Sequence, residues 1–206
     1  SYDTERKQVA MNNANFSVEN AGKLMSIMIA TESLMPTGMQ SSFSELKNHP
    51  EKWAEIQQGI EDQRDHFDGM ALHIGQHYGR TSAPDLRAKD FQFCDVGARF
   101  PHTWLEIKGE KASSLELLCA QQFTLITLAH VKIDNIDLDI PYQIKTEKEH
   151  FNADQESLKT MGLNKVKAVL VRPDGHICAR FDQNYISTND VANALLKASA
   201  KFLEFQ

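Results

Sequence analysis

The stretch Val166–Phe181, VKAVLVRPDGHICARF, constrains the fold more than any other part of this chain. Val169, Leu170 and Val171 form a continuous apolar run rich in β-branched residues, the pattern of a strand covered on both faces. Arg172-Pro173-Asp174-Gly175 then supplies a tight turn: Pro173 fixes φ at the first central position, and Gly175 accepts a left-handed backbone. In the returning strand Ile177, Ala179 and Phe181 alternate with His176, Cys178 and Arg180, which predicts one buried face and one wetter face. Ser187-Thr188-Asn189-Asp190 opens a long helix soon after. Its Val191, Leu195, Ala198 and Phe202 make one apolar stripe, with Ala194 and Leu203 beside it.

The elements before this hairpin extend the pattern. Trp104–Ile107 reads as a short strand, and Ser113-Ser114 caps a helix over Leu115–Ala120 with Glu116 at the end of its first turn. Phe123–Ala129 (FTLITLA) is a buried strand, and Ile140–Thr146 is another, with Pro141 near its start. Asp154–Met161 is a short helix stopped by Gly162. The order βαβ…β, α, ββα is that of a thioredoxin-like α/β domain, and the CxxC dithiol of redox members of that fold is missing. The first third is helical instead. Tyr2–Met35 carries Val9, Phe16, Ala21, Leu24, Met25, Met28 and Ile29 at helical spacing before the breaker Pro36-Thr37-Gly38. Pro50 suits the first turn of a helix through Lys52–Ile60, and a further helical stretch covers Phe67–Tyr78. The expected organisation is a helical region over 1–80, a connector over 81–101, and a thioredoxin-like domain over 102–206.

Composition narrows the classes of partner. A net charge of −6 and the lack of a basic cluster with interleaved aromatics argue against nucleic acid or an anionic membrane surface. No apolar run approaches the roughly 20 residues needed to span a bilayer. Cys94, Cys119 and Cys178 match neither a disulfide framework nor a zinc motif, so reduced thiols in a cytoplasmic protein are expected. A first residue of Ser rather than Met leads to the expectation of a piece of a longer protein.

Four candidate chemistries can be weighed from the residues. His73 and His77 sit one helical turn apart, the spacing of a zinc protease, but Ile74 occupies the position of its catalytic Glu and no third ligand is evident. Glu61, Asp62, Asp65 and Asp68, with Arg64 among them, are explained by a solvated helix face with side-chain pairs three and four apart. Arg172 and His176 flank the turn and could bind an anion, although turn-flanking polar residues are usually exposed. Cys178 alternates with the apolar residues and has no base beside it, so a nucleophile is not expected. Neither a GxGxxG fingerprint nor a P-loop is present. Catalytic, cofactor-binding and metal residues are therefore all expected to be none.

Five stretches in order resemble the C-terminal part of flavin-dependent aromatic hydroxylases, the phenol and chlorophenol monooxygenase group. Ser1–Ala10, SYDTERKQVA, resembles their SYxxERxPVA segment, with Gln8 where the family usually has Pro. Ile60–Tyr78 is similar to a stretch of the type DQxEHFDxxGLQLGxxY, with His66, Phe67, Asp68, Leu72, Gly75 and Tyr78 in register. Gly97–Leu105, GARFPHTWL, resembles GxRxPHxWL, and Phe123–Ile126 and Leu170–His176 complete the series. Ala129–Asp139 leaves little room for the helix the family usually has between the FTLI strand and the next one.

The resemblance implies a C-terminal domain that is thioredoxin-like, lacks the dithiol and serves packing or dimerisation. It implies a parent enzyme in which NADPH reduces FAD, O2 forms a hydroperoxyflavin, and an activated phenol is hydroxylated. The groups performing that chemistry lie upstream in the family, so no catalytic residue carries over to this chain. FAD and NADPH belong to the parent enzyme and neither is expected for this chain alone. Tyr2, Glu5 and Arg6 are expected near the flavin-domain interface, in packing and ion pairing. The implied partners are the upstream FAD-binding domain and a second copy in a homodimer. The rival reading is a free-standing thioredoxin-like binding or dimerisation module without flavin chemistry.

Overall fold

A computed structural model describes residues 2–31, 43–46, 48–67, 70–79, 94–134 and 139–203. The expected breaker at Pro36–Gly38, Asp68, and most of the expected connector lie outside the described residues. The first element is a 29-residue helix, α1 (Tyr2–Ala30), with Asp3 and Glu5 in its first turn, where carboxylates suit the helix dipole. α2 (Phe43–Leu46) precedes α3 (Pro50–Asp62), which begins on Pro50. Gly59 lets α3 approach α1 closely, since a Cβ there would lie 2.5 Å from Ile27 Cγ1. Ala30, Leu46 and Ile56 form a small core between these helices.

The second helical stretch is shorter than its spacing predicts. It forms α4 (Arg64–Phe67) and α5 (Met70–Ile74), and the chain leaves helical geometry before Tyr78. The cause lies downstream: His77 pairs with Ala98, and Tyr78 N–H donates to the Gly97 carbonyl at 2.9 Å. These extended pairings replace the last helical turn.

From Trp104 the fold is α/β. β1 (Trp104–Ile107) and β2 (Glu110–Ser113) form an antiparallel hairpin. Ser113 then caps a single 3-10 turn over Ser114–Leu117 by a reciprocal box with Glu116. That turn ends at Leu117 rather than Ala120. β3 (Phe123–Thr127), β5 (Tyr142–Thr146), β6 (Ala168–Val171) and β7 (Ile177–Phe181) form the main sheet in the order β5-β3-β6-β7. β3 runs parallel to β5, and β6 runs antiparallel to both β3 and β7. β4 (Lys132–Ile133) pairs with β8 (Tyr185–Ile186) in a separate two-stranded ribbon. No helix separates β3 from β5 among the described residues, and 135–138 of the interval lie outside them.

β6 is buried along its whole length, as its apolar run requires. α6 (Gln155–Thr160) is capped by Asp154, and α7 (Thr188–Leu203) by a reciprocal bond between Ser187 and Asp190. α7 lays Val191, Leu195 and Ala198 onto the core that Leu125, Ile126, Val169, Leu170 and Ile177 build. The side chains of Phe202 and Leu203 lie outside those described. No helix among the described residues is long and apolar enough to cross a membrane.

Candidate functional site

The helical region and the α/β domain meet at the turn between β6 and β7. Gly97–Phe100 is the strap that joins them. Gly97 N–H donates to the Ile177 carbonyl at 2.7 Å, Ile177 N–H to Ala98 at 2.8 Å, and Phe100 N–H to Gly175 at 2.8 Å. Its other side carries the pairings to His77 and Tyr78. The strap is therefore an added extended segment, sandwiched between the end of the helical region and the hairpin.

Arg172 and His176 are not exposed turn flanks. They are 7% and 8% exposed, because the turn folds against the start of α1. Arg172 Nη1 donates to both carboxylate oxygens of Glu5, at 3.0 and 3.1 Å, and Nη2 donates to Asp174 Oδ2 at 2.9 Å. Such charge-assisted bonds are what make a buried guanidinium tolerable. The His176 ring stacks on Tyr78, with centroids 4.0 Å apart and planes 21° from parallel. Arg172 lies 5.3 Å from the Tyr78 ring centre, and Arg6 Nη1 donates to the Tyr78 hydroxyl at 3.3 Å. Burial would raise the Asp174 carboxyl, but His176 and the Arg172 charge outweigh it and hold it below its ordinary value.

A cavity of about 210 Å³ opens beside this cluster. Arg6, Arg99, His73 and His176 bring cationic and imidazole groups to its wall, and Asn13 and Gln76 bring amides. Val9, Leu72 and Ile74 supply the apolar part.

The other residues singled out from the sequence are scattered. His73 is in α5 while His77 lies beyond its end, so the two are not on one helix face. No group of three metal-ligating side chains exists among the described residues. Glu61 pairs with Arg64 at 2.8 Å on an exposed surface; the Asp65 side chain lies outside those described. Cys178 is less wet than its alternation suggests. It packs against the core, its thiol meets the Leu170 carbonyl at 3.4 Å, and burial pushes its pKa up to about 12. At that value the thiolate needed for nucleophilic attack is absent near neutral pH.

The family profile described as the aromatic-ring hydroxylase C-terminal domain matches residues 94–200. The chain belongs to that family. No curated protein sequence matches it. Among solved structures, the flavin-dependent monooxygenase PieE, in complex with FAD and substrate, is similar with a TM-score of 0.67. Identity is 17%, over 97% of this chain and 39% of that one. RebC soaked with K252c gives a TM-score of 0.57 and 22% identity over 88% of this chain and 32% of that one. RebC with reduced flavin gives 0.58 and 21%, with 88% and 33% covered. These likenesses show a shared fold. The chain spans about a third to two-fifths of the length of those structures.

The matched hydroxylase domain begins at Cys94, so it includes the strap, which from sequence reads as the end of a connector. In this domain the RPDGH turn is a docking element rather than a surface loop. Sequence reasoning names Glu5, Arg6, Tyr78, Arg172 and His176 separately. Only the fold brings them together, since Glu5 and Arg172 stand 167 residues apart.

Proposed function

We propose that this chain is the C-terminal portion of an FAD-dependent, NAD(P)H-using, phenol-type aromatic monooxygenase, with a structural and dimerisation role and no catalysis alone. The observation that carries this reading is the family match over 94–200, taken with partial coverage of larger flavin monooxygenases. In this reading the helical region over 1–80 closes the flavin and substrate part of the parent, and 81–101 connects it to a thioredoxin-like domain over 102–206. The strand order β5-β3-β6-β7, with one parallel pair and an antiparallel hairpin, supports the thioredoxin-like assignment. FAD and NADPH belong to the upstream domain, which is the chain's first partner. The buried Glu5–Arg172 pair, which ties α1 to the β6–β7 turn, supports a packing role for this portion. Three unpaired thiols suit a cytoplasmic setting.

Three measurements test the proposal. The purified chain is expected to be colourless and to leave NADPH unoxidised with phenols; stoichiometric FAD retained through purification would overturn this. The coding sequence upstream of Ser1 is expected to hold a strand followed by GxGxxG and a helix. A start codon directly before Ser1 refutes the parent enzyme. Sedimentation at high concentration is expected to give a dimer, and a strict monomer counts against the association role.

A further inference from the structure

We infer that the cavity between α1, α5 and the strap is a binding site for a small oxoanion, a carboxylate or a phosphoryl group. Three observations lead there. First, the wall brings together the guanidinium groups of Arg6 and Arg99 with His73 and His176, and no carboxylate lines it among the described residues. In a chain of net charge −6 this is a local electropositive pocket and not a reflection of overall charge. Arginine is the side chain suited to planar, bidentate recognition of carboxylate and phosphate.

Second, the nearest acids in sequence are engaged chiefly by Arg172. Glu5 gives both carboxylate oxygens to Arg172, while Asp174 gives Oδ2 to Arg172 and accepts the His176 backbone N–H on Oδ1. Of the groups on the wall, His176 shares Asp174, its Nδ1 lying 3.5 Å from Oδ1. Arg99 itself is exposed on the strap, with no ion pair among the described residues.

Third, the site is built rather than incidental. His176 keeps only 10% of its side chain exposed and is held by Tyr78 at 4.0 Å and by Asp174 Oδ1 at 3.5 Å from its Nδ1. Gln76 Nε2 is fixed by the Leu72 carbonyl at 2.9 Å. The volume of about 210 Å³ exceeds the ~150 Å³ in which an engineered apolar cavity holds benzene, so one ring with an acid group, or a phosphate, fits. Val9 and Leu72 offer the surface on which an apolar body would lie.

The test uses the 206-residue chain, isotopically labelled, titrated separately with inorganic phosphate and with benzoate at constant ionic strength. Saturable shifts confined to Asn13, Gln76, Arg99 and His176 are expected, with chloride at matched ionic strength producing none. Arg99→Gln, an exposed position that does not threaten folding, is expected to weaken binding about tenfold or more, which is about 1.4 kcal/mol. Arg6→Gln is expected to do the same, and Lys145→Gln, remote from the cavity, to leave binding unchanged. Tighter benzoate assigns a carboxylate ligand with an apolar body; tighter phosphate assigns a phosphoryl group. Absence of saturation by about 20 mM of either probe overturns the site. So do equal shifts with chloride, or an affinity within twofold of wild type in the Arg6→Gln/Arg99→Gln double variant.

Discussion

Arg172 is the residue on which the seam turns. It spends two nitrogens on carboxylates from opposite ends of the chain, Glu5 in α1 and Asp174 in its own turn. Removing the guanidinium leaves Glu5, at 12% side-chain exposure, with its charge uncompensated. Arg172→Met is therefore expected to cost about 3 kcal/mol in urea unfolding, as breaking one side of a buried pair does. Asp174→Asn is expected to cost much less, because 38% of that side chain meets water and screens the interaction. A cost for Arg172→Met below that of Asp174→Asn would refute this ranking. The same cluster sets a pH dependence. Asp174 is held below its ordinary value of 3.8, so the folded state binds its proton more weakly than the unfolded chain. Its contribution is complete above about pH 4 and is lost as pH falls through the lower folded value. Thermal midpoints of the wild type should fall more steeply below pH 4 than those of Asp174→Asn, and parallel curves would remove Asp174 from the account.

At the level of elements, legibility followed how local the causes are. β1, β6 and β7 lie where the sequence puts them, because an apolar run, an alternation and a Pro-Asp-Gly turn are nearest-neighbour signals. β2 escapes notice because Glu110–Ser113 holds Ala112 as its single buried apolar residue. The two-residue strands β4 and β8 are too short to carry any period. The candidate site is harder still. Arg172 and His176 are visible in the turn, yet what buries them comes from Glu5 and Tyr78, and no local pattern announces such distant partners. Gly97 is the clearest case of a residue whose reason is tertiary. Its φ of 98° lies in the left-handed region, and a Cβ would strike the Tyr78 carbonyl. Gly97→Ala is expected to cost about 2 kcal/mol or more and to spoil the strap's pairing with residues 77 and 78. Circular dichroism melts check the cost. Unchanged exchange of the Tyr78 amide, which donates to Gly97, would show that the strap had not moved.

Across the whole molecule the two regions are stabilised unequally. The α/β domain encloses its core: Leu125, Ile126, Ala168–Val171 and Leu195 are all inaccessible to solvent. α1 has no such enclosure. Met11, Val18, Met25 and Ile29 remain about half to three-quarters exposed, the first three at steps of two helical turns and Ile29 one turn further on, and Asn20 and Ala30 are its buried residues among those described. A helix of 29 residues held at its first turns by Glu5 and Arg6 and near its end by α3 gains little apolar burial along its middle, where Asn20 bonds His66 at 2.8 Å. Native-state hydrogen exchange should therefore resolve two tiers. Amides of β3 and β6 are expected to exchange only through global unfolding. Amides in the middle of α1 should exchange through local opening, at a free energy lower by about 2 kcal/mol or more. Arg172→Met should lower protection in the first turns of α1 as well as globally. If an upstream domain covers the exposed stripe in the parent protein, α1 should rise toward the upper tier there. Equal opening free energies for α1 and β6 in the isolated chain would mean that the seam couples the two regions into one cooperative unit.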